Sequence, residues 1–281
     1  MNSSLLLSIV TFVYAASAIL YIASWVFKKS LPAAFGRWVA LAGLIGNMTG
    51  IGLRWIESYQ MGIGHAPLSN LYESLVFYSA VIAIVYLVIE WRYAMPTIGA
   101  FVMPLAFLAL AYASLSPNVN DRIQPLLPAL KSNWLIAHVI TCFIGYAAFA
   151  VAFGLSLMYV LKARHTGDPQ SLIGRFPDIR VLDELNHQMI MFGFLFLTAG
   201  IITGSVWANS AWGRYWGWDP KETWSLITWF IYATLLHARF MRGWQGRRIA
   251  YLSMAGFAAV LFTYFGVNLL PGLHSYGAMG Q

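Results

Sequence analysis

Six tryptophans crowd the stretch WANSAWGRYWGWDPKETWSLITW: Trp207, Trp212, Trp216, Trp218, Trp224 and Trp229, half of the 12 in the chain. Gly213, Gly217 and Asp219 lie among them. Indole rings offer wide apolar faces with N–H donors at the rim, a surface suited to a large planar ligand. The stretch also contains a helix start. Asp219 is placed as N-cap, Pro220 as the first helical residue and Glu222 three residues after the cap. The positive end of that helix dipole, with Arg214 and Lys221 nearby, suits anionic groups such as the propionates of a macrocycle. Asn70-Leu71-Tyr72-Glu73, after Pro67, has the same pattern and reads as simple capping. Six histidines complete the inventory: His65, His138, His165, His187, His237 and His274. Two imidazoles on opposite sides of a planar macrocycle are a ligand set that haem iron accepts.

The elements that must position these groups are hydrophobic helices. The chain has 281 residues, 59% hydrophobic and 10% charged, against roughly 25% charged in soluble domains. This composition describes one polytopic helical bundle over residues 1–281, without room for a sizeable soluble domain. Apolar runs of spanning length lie at about 5–27, 38–56, 70–90, 97–115, 133–161, 186–207, 223–241 and 249–270, each near the roughly 20 residues that a crossing needs. The expected fold is all-α, with about eight transmembrane helices.

Basic residues set the direction. Lys28, Lys29, Arg37, Arg92, Lys162, Arg164, Arg175, Arg180, Arg239, Arg242, Arg247 and Arg248 gather at one set of ends. Only Arg54, Arg122, Lys131, Arg214 and Lys221 lie at the other. The positive-inside rule then puts both termini, the segment 116–132 and the Trp-rich loop 207–222 outside. In a soluble protein the net charge of +7 would suggest nucleic acid; here loop bias accounts for it, and no nucleic-acid partner is expected. The segment 162–185 reads as a cytoplasmic loop with at most one interfacial turn. The N-terminus lacks a basic n-region and a small-residue cleavage site, so its apolar run reads as a retained first span. The single cysteine, Cys142, reads as a small core residue without a redox role.

Depth sorts the histidines. His138 lies about five residues into the fifth span from its outer end, roughly 7.5 Å down. His274 follows Pro271 and Gly272, just past the outer end of the last span. Both share the level of the Trp loop, which favours them as a ligand pair over isolated hydrogen-bonded interfacial residues. His237 sits about 15 residues beyond the loop, roughly 22 Å deeper, as a ligand of an inner site or a side chain snorkelling with Arg239. His187, near the inner end of the sixth span, could face it. His165 reads as a solvated loop residue, and the chemistry gives His65 no role.

These residues resemble a known family. WGRYWGWDPKETWSLITW, preceded by GSVWAN and followed by the helical histidine of LLHAR, resembles the tryptophan-rich WWD signature of haem-handling membrane proteins. DPKETW, with HAPLSNLYESL upstream, is similar to the CcsA (ResC) branch of cytochrome c biogenesis, system II. The resemblance spans His65 to His274. It implies that His138 and His274 are the external pair flanking the WWD segment and that His237 is the transmembrane ligand. It also implies a CcsB (ResB)-type membrane partner able to contribute the other transmembrane histidine, so the chain is expected to be one half of a split synthase.

The function expected is that of a membrane subunit of a holocytochrome c synthase, or haem lyase. It would carry haem b, as substrate and transported ligand, to the outer face. There it would present the vinyl groups to the thiols of an apocytochrome c CxxCH segment. Trp212, Trp216, Trp218, Asp219, Arg214 and Lys221 would hold the macrocycle, and His138, His274 and His237 the iron. No side chain reads as a catalytic nucleophile or base. The chain lacks CxxC, so thiol-reducing proteins must act elsewhere. The membrane expected is the bacterial cytoplasmic membrane or the thylakoid, with the loop on the periplasmic or lumenal side. A CcmC-type protein that hands haem to a carrier is the first alternative; eight spans, a deep His237 and DPKETW argue against it. An electron-transfer membrane cytochrome with permanent b haems is the second. It would need paired histidines at both depths.

Overall fold

The computed structural model describes residues 2–270 and Gly272. Among them the chain forms eight α-helices, α1 (Ser3–Phe27), α2 (Ser30–Gln60), α3 (Leu71–Tyr93), α4 (Gly99–Leu115), α5 (Asn133–Arg164), α6 (Ile179–Trp212), α7 (Pro220–Arg242) and α8 (Arg247–Tyr264), and no strand. The helices fall where the eight spans were expected. Six of them, α1 to α6 with α4 extended back to Pro96, are long and apolar enough to cross a membrane. In α7 the apolar run is diluted by Lys221, Glu222, Trp224, Trp229 and His237, and α8 opens on Arg247 and Arg248. The protein is an all-α, multi-pass membrane bundle.

Contacts divide it into two compact units, Met1–Leu130 with Arg164–Asp178, and Lys131–Ala163 with Ile179–Gln281. In the first unit α1 and α2 meet along a seam of small residues. A Cβ added at Gly43 would lie 2.7 Å from Tyr14, one at Gly46 2.8 Å from Val10, and one at Gly50 2.6 Å from Leu7. Lipid tails are as apolar as leucine, so close backbone approach and interhelical hydrogen bonds must hold such helices together. Both occur here: Ser17 Oγ donates to the Gly36 carbonyl (2.9 Å), and Asn47 Nδ2 donates to Ser79 Oγ on α3 (2.9 Å). Asn70 caps α3 by accepting from Glu73 N–H (2.9 Å). The Glu73 carboxylate has partners of its own. It accepts from the backbone and hydroxyl of Ser69 and pairs with the buried Arg54 at 2.8 Å. A buried charge of this kind is tolerated because it is both paired and hydrogen-bonded.

The expectation for 162–185 needs correction, because α6 begins at Ile179 and only 165–178 is a connection. That connection is anchored on the first unit. The buried Phe176 packs on Trp25 (5.4 Å) and Phe101 (5.3 Å), while Trp25 Nε1 donates to the Leu172 carbonyl (2.9 Å). Pro169, Gly174 and Pro177 mask this order in the sequence, since one aromatic anchor leaves no periodicity to read.

In the second unit α5 and α6 again pack through small residues. A Cβ at Gly145 would lie 3.0 Å from the Gly193 carbonyl, and one at Gly200 2.6 Å from Cys142 Sγ. Phe149 on α5 stacks on Tyr232 of α7 at 3.6 Å, and Thr228 and Thr263 join α7 to α8 through their hydroxyls (3.0 Å). The Asp183 carboxylate binds Arg239 (2.7 Å) and the Gly246 N–H (2.9 Å), fixing the α7–α8 turn. Gly243 and Gly246 take positive φ values of 62° and 72° there. The α6 helix has 34 residues, about 51 Å at 1.5 Å per residue, against a hydrocarbon core of about 30 Å. It is therefore longer than an untilted crossing requires.

Candidate haem-binding site

His138 lies on the second turn of α5, and its ring is fixed by α6. Nδ1 is 2.8 Å from the Gly200 carbonyl oxygen. A carbonyl accepts only, so Nδ1 carries the proton and Nε2 keeps its lone pair. The imidazole stacks on the buried Trp207 (centroids 5.9 Å apart, planes 15° apart), and Trp212 meets Trp207 edge-on at 4.9 Å. Cys142 Sγ is 3.6 Å from Nδ1. These residues share one run of α5 and one of α6, because 138 and 142, like 200, 204 and 207, recur at helical spacing on facing stripes.

The Trp-rich stretch is only partly a loop. The α6 helix continues through Trp212, and Gly213 ends it at φ +73°. The connection from 213 to 219 is then organised from its far end. Asp219 is buried and caps α7 by accepting from the Lys221 N–H (2.9 Å). Glu222 reaches back to accept from Asp219 N–H (3.1 Å) and Gly217 N–H (2.7 Å), which completes a capping box. Between those two tethered amides stands Trp218, at φ +57° and 69% exposed. A non-glycine residue in the left-handed region costs about 1–2 kcal/mol. The tethers on the Gly217 and Asp219 amides hold this conformation from both sides. Trp216 packs edge-on against Trp218 at 5.8 Å. Arg214 folds over Gly217, where a Cβ would lie 2.6 Å from Nε. Lys221 is within electrostatic reach of His138 and Cys142.

The expected residues thus fall into two groups. His138, Trp207 and Trp212 form one on α5 and α6; Arg214, Trp216, Trp218, Asp219 and Lys221 form the other, around the turn. His274 lies outside the described residues. Gly272, two positions before it in the sequence, packs against the α7 start: a Cβ there would lie 2.6 Å from Asp219 Oδ2. His237 is exposed on α7, in a stripe with Ile227, Phe230 and Met241. His187 has different surroundings. It is buried with its ring edge-on to Phe240 (5.3 Å), and Nδ1 has no hydrogen-bond partner among the described residues. His65, without a role in the sequence reading, is buried between two carbonyls. Nδ1 is 2.9 Å from Ala66 O and Nε2 3.0 Å from Gln124 O, so it ties the α2–α3 connection to the segment after α4. His165 binds Ser171 Oγ (2.8 Å) within its own connection.

The sequence reading missed Gly200 and Gly204. Their only signal was the run Gly193, Leu197, Gly200, Gly204, a stripe at alternating spacings of four and three. The donor set fits haem: an imidazole with a committed Nδ1 and an available Nε2, aromatic surfaces beside it, and cationic side chains around a capped helix start.

The chain is similar to known proteins over most of its length. The family described as "Cytochrome C assembly protein" matches residues 68–274. "Cytochrome c biogenesis protein CcsA" of Guillardia theta is 42% identical over 246 residues, 81% of this chain and 80% of that protein. Its namesake in Parasynechococcus marenigrum (strain WH8102) is 42% identical over 264 residues, 85% of each. Among solved structures, "Cytochrome c Heme Lyase CcmF" superposes with a TM-score of 0.66 at 15% identity. The match covers 96% of this chain and 50% of that one, and it bears on the fold alone. On its sequence matches, this chain belongs to the CcsA family of cytochrome c assembly proteins.

Proposed function

We propose that this chain is the haem-presenting subunit of a system II cytochrome c synthase. The observation that carries the reading is His138. Its Nδ1–H is committed to the Gly200 carbonyl beside the stacked Trp207, which directs Nε2 as the available ligand atom. In this reading His138 and His274 bind the iron of haem b at the outer face. Trp212, Trp216 and Trp218 support the macrocycle, while Arg214 and Lys221 attract its propionates. Asp219 holds the start of α7 in place beneath them.

The chemistry asked of the protein is positional. Each substrate thiol adds across a vinyl group: an S–C bond forms, the thiol hydrogen ends on the neighbouring vinyl carbon, and no net oxidation occurs. Holding the reacting atoms together is a large part of such a reaction, and the substrates carry the reactive groups. Cys142 is buried against Gly200 and is not part of this chemistry.

The exposure of His237 supports a shared inner site. An imidazole on an outward-facing apolar stripe of a membrane helix is costly unless something completes it, and a CcsB-type partner is the expected source of the second ligand. Haem would pass from that level to the outer pair. The membrane is that of a bacterium or a thylakoid, with the Trp-rich turn on the periplasmic or lumenal side. The test is co-expression with a CcsB-type partner and a reporter apocytochrome c. Covalent haem attachment that needs both subunits and His138 supports the reading. Copurified haem without attachment to any apocytochrome would instead favour delivery to a carrier.

A further inference from the structure

The His138 ring sits in a slot built by α6. A Cβ added at Gly204 would lie 2.6 Å from Nδ1, 2.7 Å from Cε1 and 3.4 Å from Cγ, so the bare Cα of Gly204 is the floor. The Gly200 carbonyl, one turn earlier, is the anchor (2.8 Å), and the Trp207 ring is the wall. Gly200 also sets the helix separation, since a Cβ there would lie 3.3 Å from the Cys142 backbone nitrogen. Side chains at either glycine would push the imidazole or α5 away.

We infer that Gly200 and Gly204 are positioning residues for haem: together they fix the tautomer, ring plane and basicity of the His138 ligand before haem arrives. The inference rests on the proposed ligand role of His138. An Nδ1–H bonded to a carbonyl gives imidazole more electron density at Nε2, which favours ferric over ferrous iron. The same carbonyl has a competitor: Thr203 Oγ1 is 3.1 Å from it and 2.8 Å from Ala199 O. Removing that hydroxyl would leave Gly200 O a stronger acceptor for His138.

Two variants test this in the complex purified with its partner, compared at equal amounts of inserted protein. Gly204→Ala introduces a methyl whose nearest clash is with a side chain rather than backbone, so the ring should move while the helices remain. Haem occupancy is expected to fall at least several-fold and to recover with added imidazole. The Gly204→Ala/His138→Ala double should be no worse than His138→Ala alone. Thr203→Val nearly conserves shape, and Thr141 keeps its bonds to Ala137 O (2.7 Å) and His138 O (3.0 Å). Its haem should show full occupancy and a lower midpoint potential. Wild-type occupancy in Gly204→Ala with a wild-type potential in Thr203→Val would overturn the inference, while loss of haem in His138→Ala would leave the ligand reading standing. Should Gly204→Ala fail to accumulate, the potential of Thr203→Val decides alone. If His138→Ala itself retains full haem, both readings fall together.

Discussion

Trp218 offers a test in which stability and function should part. Its φ of +57° is a conformation that glycine adopts freely, and its side chain is 69% exposed. Trp218→Gly removes about 1–2 kcal/mol of left-handed strain and adds about 0.4–1 kcal/mol of unfolded-chain entropy. Little buried area is lost, so folding stability should stay within about 1 kcal/mol of the parent, a few degrees at most in a melt of a chain this size. Ligand binding should respond differently. A tryptophan buries about 150–250 Å² when covered. Covering half of that against a macrocycle, at about 25 cal/mol per Å², corresponds to roughly 2–3 kcal/mol, or roughly a 30- to 150-fold loss of affinity. The assay is haem copurification by pyridine haemochrome, with the melting midpoint measured on the same detergent-solubilised complex. The haem that remains should keep its axial-ligand spectrum, because Trp218 contributes surface and not ligation. Unchanged haem content in a Trp218→Gly protein of normal stability would show that the indole is not part of the binding surface and that the strain serves something else.

Other outcomes follow from the same geometry. His138→Ala and His274→Ala should each abolish covalent haem attachment to a reporter cytochrome, with partial restoration by added imidazole; normal attachment in both single variants removes the external pair. His237→Ala should lower the haem that copurifies as well as the attachment yield, read from haem spectra and haem-stained gels. Full outer-site haem in a stable variant would make His237 structural. Asp219→Ala should cost about 1 kcal/mol through loss of the α7 cap, whereas Asn caps nearly as well. Asp219→Asn should therefore insert and melt normally. A moderate loss of haem would then report on its charge, and unchanged haem and attachment would confine Asp219 to capping.

What could be read from the sequence was whatever rests on local chemistry. Asp219, Pro220 and Glu222 named the α7 start, and the capping box is present because each residue needs only its neighbours along the chain. The apolar runs named the helices for the same reason. Their ends were less legible. The α6 helix extends seven residues before the expected span and five beyond it, because polar residues such as Asp183 continue a helix wherever tertiary partners satisfy them. Asp183 finds Arg239 and the Gly246 amide from elsewhere in the chain. No window of α6 sequence contains those partners. His65 shows the same limit: its two carbonyl partners come from Ala66 and Gln124, and only the first is adjacent in sequence.

The glycines carry the remaining step, because one packing device serves both units with different consequences. In the first unit the glycines of α2 admit Tyr14, Val10 and Leu7, and the bare Gly36 carbonyl accepts from Ser17. In the second unit the glycines of α6 admit Phe149, Cys142 and His138, and the bare Gly200 carbonyl accepts from His138. A close helix approach exposes backbone carbonyls to whatever faces them. Where the facing group is a serine, the bond adds cohesion; where it is an imidazole, the bond also selects which ring nitrogen stays free. The contrast predicts different phenotypes for one substitution. Gly43→Ala would set a methyl 2.7 Å from the Tyr14 ring and should lower the yield and thermal stability of inserted protein, while the haem that remains keeps its spectrum and potential. Gly204→Ala should do the reverse, with near-normal yield and altered haem. If both variants lost yield and haem in the same proportion, Gly204 would serve packing alone, and the chemical role given to the Gly200 carbonyl would rest on the potential of Thr203→Val.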